Sequence, residues 1–205
     1  MMLSRRISWA IVAALSLAFI TIQVSGETKL PKGISKAASD SCGLKVKQLE
    51  DYAASPTPGK KKTTRFDEAE INSYLALELK EKFHPSLKSL LLTFQKEDLQ
   101  GVASLDFDHL SVNAKGAFTK LIARMFSGVH DLTVRGDLIA TEGKGSFKLQ
   151  EARFDQTTLP NFLVEQIITA VGQKQKPPFD PTQPSQLPYK IERVDLYAGY
   201  IIVHQ

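Results

Sequence analysis

Hydrophobic residues along the chain recur with two periods, and the change of period divides the sequence into helices and strands. In residues 66–75, "FDEAEINSYL", apolar side chains follow a run of acids at spacings of three and four, which predicts a helix with one buried face. Asp67 and Glu70 have the spacing of a capping box, and Phe66 and Ile71 that of a hydrophobic staple. We therefore interpret the three carboxylates of this stretch as the start of a helix, not as a catalytic cluster.

Three pairs of segments with a period near two, each interrupted by turn residues, predict three antiparallel hairpins. Their sequences are "LKSLLLTFQ" with "LQGVASLDFD", "HDLTVRGDLIA" with "GSFKLQEARF", and "KIERVDLY" with "YIIVHQ". Two further amphipathic helices, "GAFTKLIARMFSG" and "LPNFLVEQIITAVG", lie between the hairpins. The predicted fold class is α+β, with a meandering antiparallel sheet of about six strands and about three helices.

The N-terminal segment has the composition of an export signal. Two arginines precede a short apolar stretch in residues 1–26, and we favour a cleaved signal peptide over an N-terminal anchor. Residues 27–62 end in a Pro- and Gly-containing basic run, so we predict a flexible basic linker with room for a short helix. Residues 63–205 have the length of a single α+β domain.

The excess of positive charge belongs to the front of the chain. The net charge is +4, but residues from 63 onward carry 16 basic and 18 acidic side chains. A mildly acidic domain argues against a nucleic-acid partner. The basic run Lys60, Lys61 and Lys62 has the charge to contact an anionic membrane surface, although a solvated linker is the simpler interpretation.

No group of residues has the spacing of a known catalytic or metal site. The four histidines lack a second ligand at helical spacing, and the single cysteine, Cys42, allows neither an internal disulfide nor a cysteine-based zinc site. In "DFDHL", a strand would place His109 on the face opposite Asp106 and Asp108, which disfavours a cation site. We therefore predict no catalytic residue, no metal and no cofactor, and we expect a protein that is not an enzyme.

The predicted helices carry more apolar surface than a narrow core contact needs. These side chains could bury one another, or they could line a groove for an acyl chain, since a lipid tail needs only a continuous apolar wall. The apolar residues predicted to line such a groove are Tyr74, Leu75, Phe118, Ile122, Phe126, Phe162, Leu163 and Ile167.

Three stretches give the chain a family resemblance. "FDEAEINSYL", the "LPNFLVEQII" helix after a strand, and the closing "LPYKIERVDLYAGYIIV" resemble the LmeA-like family of exported phospholipid-binding proteins and, more distantly, the YceB-like envelope proteins. The resemblance covers residues 64–205 and consists of fold patterns, with Lys190 standing where such a turn often has glycine. It implies an architecture like that of the tubular lipid-binding (TULIP) proteins, in which a long curved sheet surrounds a helix and leaves a lipid-sized groove.

The resemblance also implies a function. Such a protein would be periplasmic, or membrane-anchored and facing the periplasm, and would hold a phospholipid or other acyl-chain lipid without catalysis, in envelope lipid transport or maintenance. The alternative is an envelope interaction module without a ligand. It would be tethered by residues 27–62 and would contact a partner protein through the Pro-rich loop of residues 176–189 or through a sheet edge.

Overall fold

The computed structural model describes residues 33–56, 59–83, 85–96, 98–109, 127–155, 157–165, 169, 180 and 183–205. The predicted export signal and the helix predicted within residues 116–128 lie outside these ranges, apart from the last two residues of that helix. Within the described ranges, no helix is both long and apolar enough to span a lipid bilayer.

The described chain contains three α-helices and nine strands. The helices are α1 (Lys36–Ala54), α2 (Glu68–Tyr74) and α3, which is described at residues 161–165. Helix α2 continues into a π-helical turn (Leu75–Leu79) and a 3-10 turn (Lys80–Lys82). The strands are β1 (Thr63–Asp67), β2 (Leu87–Phe94), β3 (Leu99–Asp106), β4 (Val129–Thr141), β5 (Lys144–Phe154), β6 (Thr157–Thr158), β7 (Ser185–Gln186), β8 (Arg193–Tyr197) and β9 (Tyr200–His204).

The strands form two antiparallel sheets. Sheet A has three strands in the order β1-β9-β8, and sheet B has six, in the order β2-β3-β4-β5-β6 with β7 also paired to β5. The predicted hairpins are confirmed as β2–β3, β4–β5 and β8–β9, and the α+β class is confirmed with them. Strand β1 was not predicted; it pairs with β9 and so joins the two ends of the predicted domain.

Sheet B has one apolar and one polar face. Side chains alternate along each strand, and the strand register places the apolar residues of neighbouring strands side by side on the same face. The buried residues of the apolar face include Leu90, Leu92, Phe94, Leu99, Ala103, Leu105, Leu132, Val134, Ala140, Phe147, Leu149, Ala152 and Phe154. A bulge between β4 and β5 at Gly136 preserves this alternation. Only glycine fits there, since a Cβ would lie 2.2 Å from the carbonyl oxygen of Lys148.

Residues 27–62 were predicted to be a flexible linker with room for a short helix, and residues 36–54 of this segment form the longer, 19-residue helix α1. The Ser35 hydroxyl caps α1 by accepting the Ala38 N–H at 3.2 Å. Cys42, Val46 and Leu49 on its inner face belong to the hydrophobic core. The apolar stripe is hard to see in the sequence because small residues share it: Ser39, one turn before Cys42, is also buried.

Candidate functional site

The acidic stretch at the start of α2 is structural. Asp67 and Glu70 form the predicted capping box, in which the Glu70 carboxylate accepts the backbone N–H of Asp67 at 2.9 Å. The third acid, Glu68, accepts the backbone N–H of Phe94 on β2 at 2.8 Å. Each of the three carboxylates therefore has a structural partner.

Glu70 also connects α2 to α1, a role that the sequence did not indicate. Its buried carboxylate accepts hydrogen bonds from Lys45 Nζ at 2.7 Å and from the Ser41 hydroxyl, both on α1. Burial by itself would raise the pKa of Glu70, but the bonds from Lys45, Ser41 and the Asp67 backbone hold this pKa below its ordinary value of 4.5. The charged form of Glu70 thus stabilises the contact between the two helices.

The outer edge of β2 is closed by side chains of α2. The buried Asn72 amide donates to the Leu92 carbonyl oxygen and accepts the Leu92 N–H, both at 2.8 Å. Glu68 takes the next outward N–H, that of Phe94, and the Gly199 N–H donates to the Phe94 carbonyl oxygen at 3.0 Å. These four hydrogen bonds satisfy the outward N–H and C=O groups that a neighbouring strand would otherwise bond.

The predicted groove residues do not converge on one surface of the described structure. The half-buried Tyr74 packs against α1, where a Cβ on Gly43 would lie 3.4 Å from its ring, and Leu75 is a core residue. Phe162 is 58% exposed on α3 and Leu163 is half-buried. The remaining predicted groove residues, Phe118, Ile122, Phe126 and Ile167, lie outside the described residues.

Helix α1 explains the position of Tyr74 and Leu75. The periodicity of α2 showed that one of its faces is apolar, but α1, in the segment predicted to be a linker, covers that face. The arrangement does not support these two residues as walls of a lipid groove. The apolar face of sheet B is instead a continuous set of buried apolar residues that extends over four strands.

Aromatic and aliphatic side chains lie against this face at the end where Phe154 is located. The rings of Phe107 and Phe154 meet edge to face with centroids 5.3 Å apart. Val164 of α3 is fully buried, and Leu159 packs against the same core. In this state the apolar face is therefore covered by protein side chains.

Two histidine–carboxylate groups lie at the same end of sheet B. His130 Nδ1 is 2.9 Å from Asp155 Oδ2, and hydrogen bonding to Asp155 raises the pKa of His130. His109 Nδ1 is 2.9 Å from Asp106 Oδ2, which Lys88 also contacts at 2.8 Å. The expectation that His109 faces away from Asp106 is wrong, because β3 ends at Asp106 and a turn follows.

These groups are histidine–carboxylate contacts, and Asp106 also forms an ion pair with Lys88. Within the part of the chain that the structure describes, no three histidine, cysteine or acidic side chains are grouped as metal ligands. Hydrogen bonding to Lys88 lowers the pKa of Asp106 against the effect of burial. Cys42 is no nucleophile in this setting, since burial raises the pKa of its thiol to about 12.

The basic run predicted to touch a membrane is partly engaged with the protein. Lys62 Nζ donates to the Gln48 carbonyl oxygen at 2.7 Å and lies 5.6 Å from the centroid of the Tyr52 ring. The Lys62 backbone also continues the β1–β9 ladder. Only Lys60 and Lys61 are exposed.

A groove beside β8 is the feature that the sequence did not reveal. It has a volume of about 400 Å³, is open to solvent, and is lined by Lys96, Leu138, Val194, Asp195, Leu196 and Tyr197. Its walls come from the β2–β3 turn, β4 and β8. The sequence predicted all three elements, but only the packing of sheet A against sheet B creates the space between them.

No family model matches the chain, and no curated protein matches it. The resemblance to exported phospholipid-binding proteins thus stays a prediction.

Proposed function

We propose that this protein is exported and holds an acyl chain, from a phospholipid or a similar lipid, against the apolar face of sheet B. The observation that carries the proposal is the extent of that face, which is continuous from β2 to β5. The role is carriage or storage of lipid in the cell envelope, without catalysis. In this role the exposed Lys60 and Lys61 contact anionic lipid head groups.

The dimensions of the face suit an acyl chain. Four strands at a spacing of about 4.8 Å span roughly 15–20 Å, and the 13 residues of β4 extend for roughly 40 Å. An acyl chain in one leaflet is about 15 Å long, half of the hydrocarbon core of a bilayer. An apolar wall of this size removes a whole chain from water, and the gain is proportional to the apolar area buried.

Loading requires the cover to move, since the described face is buried. Val164 of α3 is fully buried in the same core as this face, while its neighbour Phe162 is exposed. In the proposed mechanism α3 separates from the sheet and the acyl chain takes the place of Val164. The exposed Phe162 ring then contacts the lipid at the mouth of the opened site.

The proposal is tested with the natively purified full chain, whose bound lipid is extracted and identified by mass spectrometry. Ala152→Leu adds volume to the apolar face, and the matched control Arg153→Leu places the same side chain on the exposed face one residue later. We expect Ala152→Leu to lower the bound lipid several-fold and Arg153→Leu to leave it unchanged.

Overpacking a core position costs about 1–3 kcal/mol, so the unfolding temperature of each variant is measured as well. If Ala152→Leu does not fold, Ala103→Leu on β3 repeats the test at another position on the face. A ligand-free wild-type protein that also binds no fluorescent fatty acid would contradict the proposal.

A further inference from the structure

The groove beside β8 is bounded at both ends by contacts between the two sheets. At one end the Gly143 N–H donates to the Glu192 carbonyl oxygen at 2.9 Å, and at the other the Gly199 N–H donates to the Phe94 carbonyl oxygen at 3.0 Å. Between these ends the Cα atoms of β4 come within 8 Å of those of β8. A further strand does not fit there, but the volume of about 400 Å³ lies within the range of small-ligand pockets, about 300–1,000 Å³.

The backbone of β8 forms one wall of this groove. The consecutive residues 194–197 all line it, which places it along the edge of the strand, because successive side chains point to opposite faces. β8 joins β9 through a two-residue turn that places Tyr197 opposite Tyr200, and in such a hairpin alternate residues bond to the partner strand. The N–H and C=O groups of Val194 and Leu196 therefore point into the groove, and no described residue hydrogen-bonds to them.

The groove also has an aromatic and aliphatic surface. The Tyr197 side chain is 39% exposed, and its ring is nearly parallel to that of Tyr200, with centroids 4.8 Å apart. Because Tyr200 lies on β9, this stack orients the Tyr197 ring from the side away from the groove. Leu138 of β4 and Leu196 of β8 add aliphatic surface.

The two charged side chains of the lining have opposite signs, so the groove selects neither an anion nor a cation. Lys96 supplies the donors of its ammonium group from the β2–β3 turn. Asp195 uses a single oxygen, Oδ2, to contact His204 Nε2 at 2.8 Å and Arg193 at 3.1 Å. Its Oδ1 atom can accept a further hydrogen bond. The groove thus presents donors and acceptors side by side, next to an aromatic ring.

We propose that this groove binds a neutral saccharide. Each hydroxyl of a sugar both donates and accepts, which matches the alternating N–H and C=O groups of β8 and the side chains of Lys96 and Asp195. The C–H face of the sugar ring packs on Tyr197, because the negative face of an aromatic ring attracts such groups. A purely apolar ligand would displace water from the β8 backbone without replacing its hydrogen bonds, which costs free energy.

The groove is separate from the apolar face of sheet B, since it is open to solvent and that face is buried. Saccharide binding and lipid binding can therefore succeed or fail independently. The saccharide site does not depend on the proposed lipid function.

The test is a titration of the isotope-labelled full chain with cellobiose, maltose and N-acetylglucosamine, followed through the backbone amide NMR signals. We expect at least one of these sugars to cause saturable shifts at Val194 and Leu196, with a Kd of about 1–10 mM. Sorbitol is the control ligand, because it carries hydroxyls but has no rigid ring face. It should give no saturable shift at up to about 100 mM.

The aromatic contact is tested with two substitutions of the same residue. Tyr197→Ala removes the ring and should weaken sugar binding about fivefold to tenfold. Tyr197→Phe keeps the ring and should bind within about twofold of the wild type. The unfolding temperature of both variants is measured, and Tyr197→Phe is expected to fold because it retains the stack on Tyr200.

The polar contact is tested with Lys96→Met and the matched control Lys148→Met, which lies on the exposed face of sheet B. Both lysines are exposed, so both variants should fold. Lys96→Met is expected to weaken sugar binding about threefold, as the loss of one hydrogen bond at a surface, and Lys148→Met to leave it unchanged. Neither variant should change the bound lipid.

Three outcomes would overturn the saccharide proposal. The first is the absence of saturable shifts at Val194 and Leu196 with all three sugars. The second is saturable binding of sorbitol with the same affinity, since the ring face would then not be recognised. The third is sugar binding that neither Tyr197→Ala nor Lys96→Met weakens, which would place the sugar elsewhere on the protein.

Discussion

The outer edge strands of the two sheets, β2 in sheet B and β8 in sheet A, differ in whether other described residues bond to their outward backbone groups. On β2, the outward groups of Leu92 and Phe94 are bonded by Asn72, Glu68 and Gly199. On β8, the outward groups of Val194 and Leu196 have no such partner among the described residues. Both edges belong to short hairpins of ordinary strand composition, so composition does not explain the difference.

The comparison shows that an edge is closed by long-range contacts. Asn72 and Glu68 lie one turn apart on α2 and present their side chains to β2 at the spacing of alternate strand residues. An unpaired edge invites pairing with another chain, and proteins usually prevent this. Among the described residues, β8 has no side-chain cover of the kind that closes β2.

Hydrogen exchange in the wild-type protein measures this difference with the largest expected effect. The amide of Leu92 bonds to a buried side chain and should exchange only through opening of the structure, whereas the amides of Val194 and Leu196 should exchange freely. We expect at least about a thousandfold difference in rate, which corresponds to about 4 kcal/mol of protection. Similar protection of all three amides would show that the β8 edge is already covered.

Removal of the Asn72 side chain should reopen the β2 edge. Asn72→Ala leaves the Leu92 N–H and carbonyl without partners in a buried position, and we expect a loss of about 2–4 kcal/mol in the free energy of unfolding. The control is Asn161→Ala, which removes an exposed bond of 3.2 Å to the Gln150 carbonyl and should cost less than about 0.5 kcal/mol. Urea unfolding measures both, and equal losses would refute the assigned role of Asn72.

The hairpins could be predicted from the sequence because their information is local. Alternating residues and a turn within about 20 residues specify β2–β3, β4–β5 and β8–β9. Strand β1 was missed, since "TTRFD" is short and polar and its partner β9 lies far along the chain. A short helix was allowed in residues 27–62, but the length and burial of α1 were not predicted. Ser39 and Cys42 form half of its buried stripe, and these side chains are small or polar.

The site was harder to predict than the fold because it depends on contacts between residues that are far apart in the sequence. Periodicity indicates that a face is apolar, but not what covers it. Tyr74 was predicted to meet a lipid, and in the structure its ring lies beside Gly43 of α1. The groove beside β8 could not be recognised at all, because it forms only where sheet A packs beside Leu138 and Lys96.

The contribution of the Glu70 ion pair to holding α2 over the β2 edge can be measured as a change in the free energy of unfolding. Glu70→Gln keeps the shape of the side chain but removes the charge that Lys45 contacts, and we expect a loss of about 1–2 kcal/mol at pH 7. Glu78→Gln is the control: its pair with Lys36 is exposed and should contribute much less than the Glu70 pair.

The effect of Glu70→Gln should depend on pH. Because the folded-state pKa of Glu70 lies below 4.5, its charge stabilises the fold above the unfolded-state pKa. This contribution is lost as the pH falls through the lower, folded-state value. The gap between wild type and Glu70→Gln should therefore shrink in acid, as measured by urea unfolding at several pH values. A gap that stays constant or widens below pH 4.5 would exclude this role.

The smallest expected effect belongs to the cap of α2. Asp67→Ala removes one side of the capping box and should lower the free energy of unfolding by about 1 kcal/mol. Lipid content should not change, because the acid has no role in binding. Since α2 carries the side chains that close the β2 edge, exchange at Leu92 should also become slightly faster.

The control for Asp67→Ala is Asp40→Ala, which removes an exposed i,i+4 contact with Lys36 on α1 and should cost only a few tenths of a kcal/mol. Chemical denaturation and hydrogen exchange distinguish the two variants. If Asp67→Ala instead abolished lipid binding while the fold and the Leu92 amide stayed protected, the acids of "FDEAEINSYL" would belong to a functional site. Closing the β2 edge would then not be the main role of these acids.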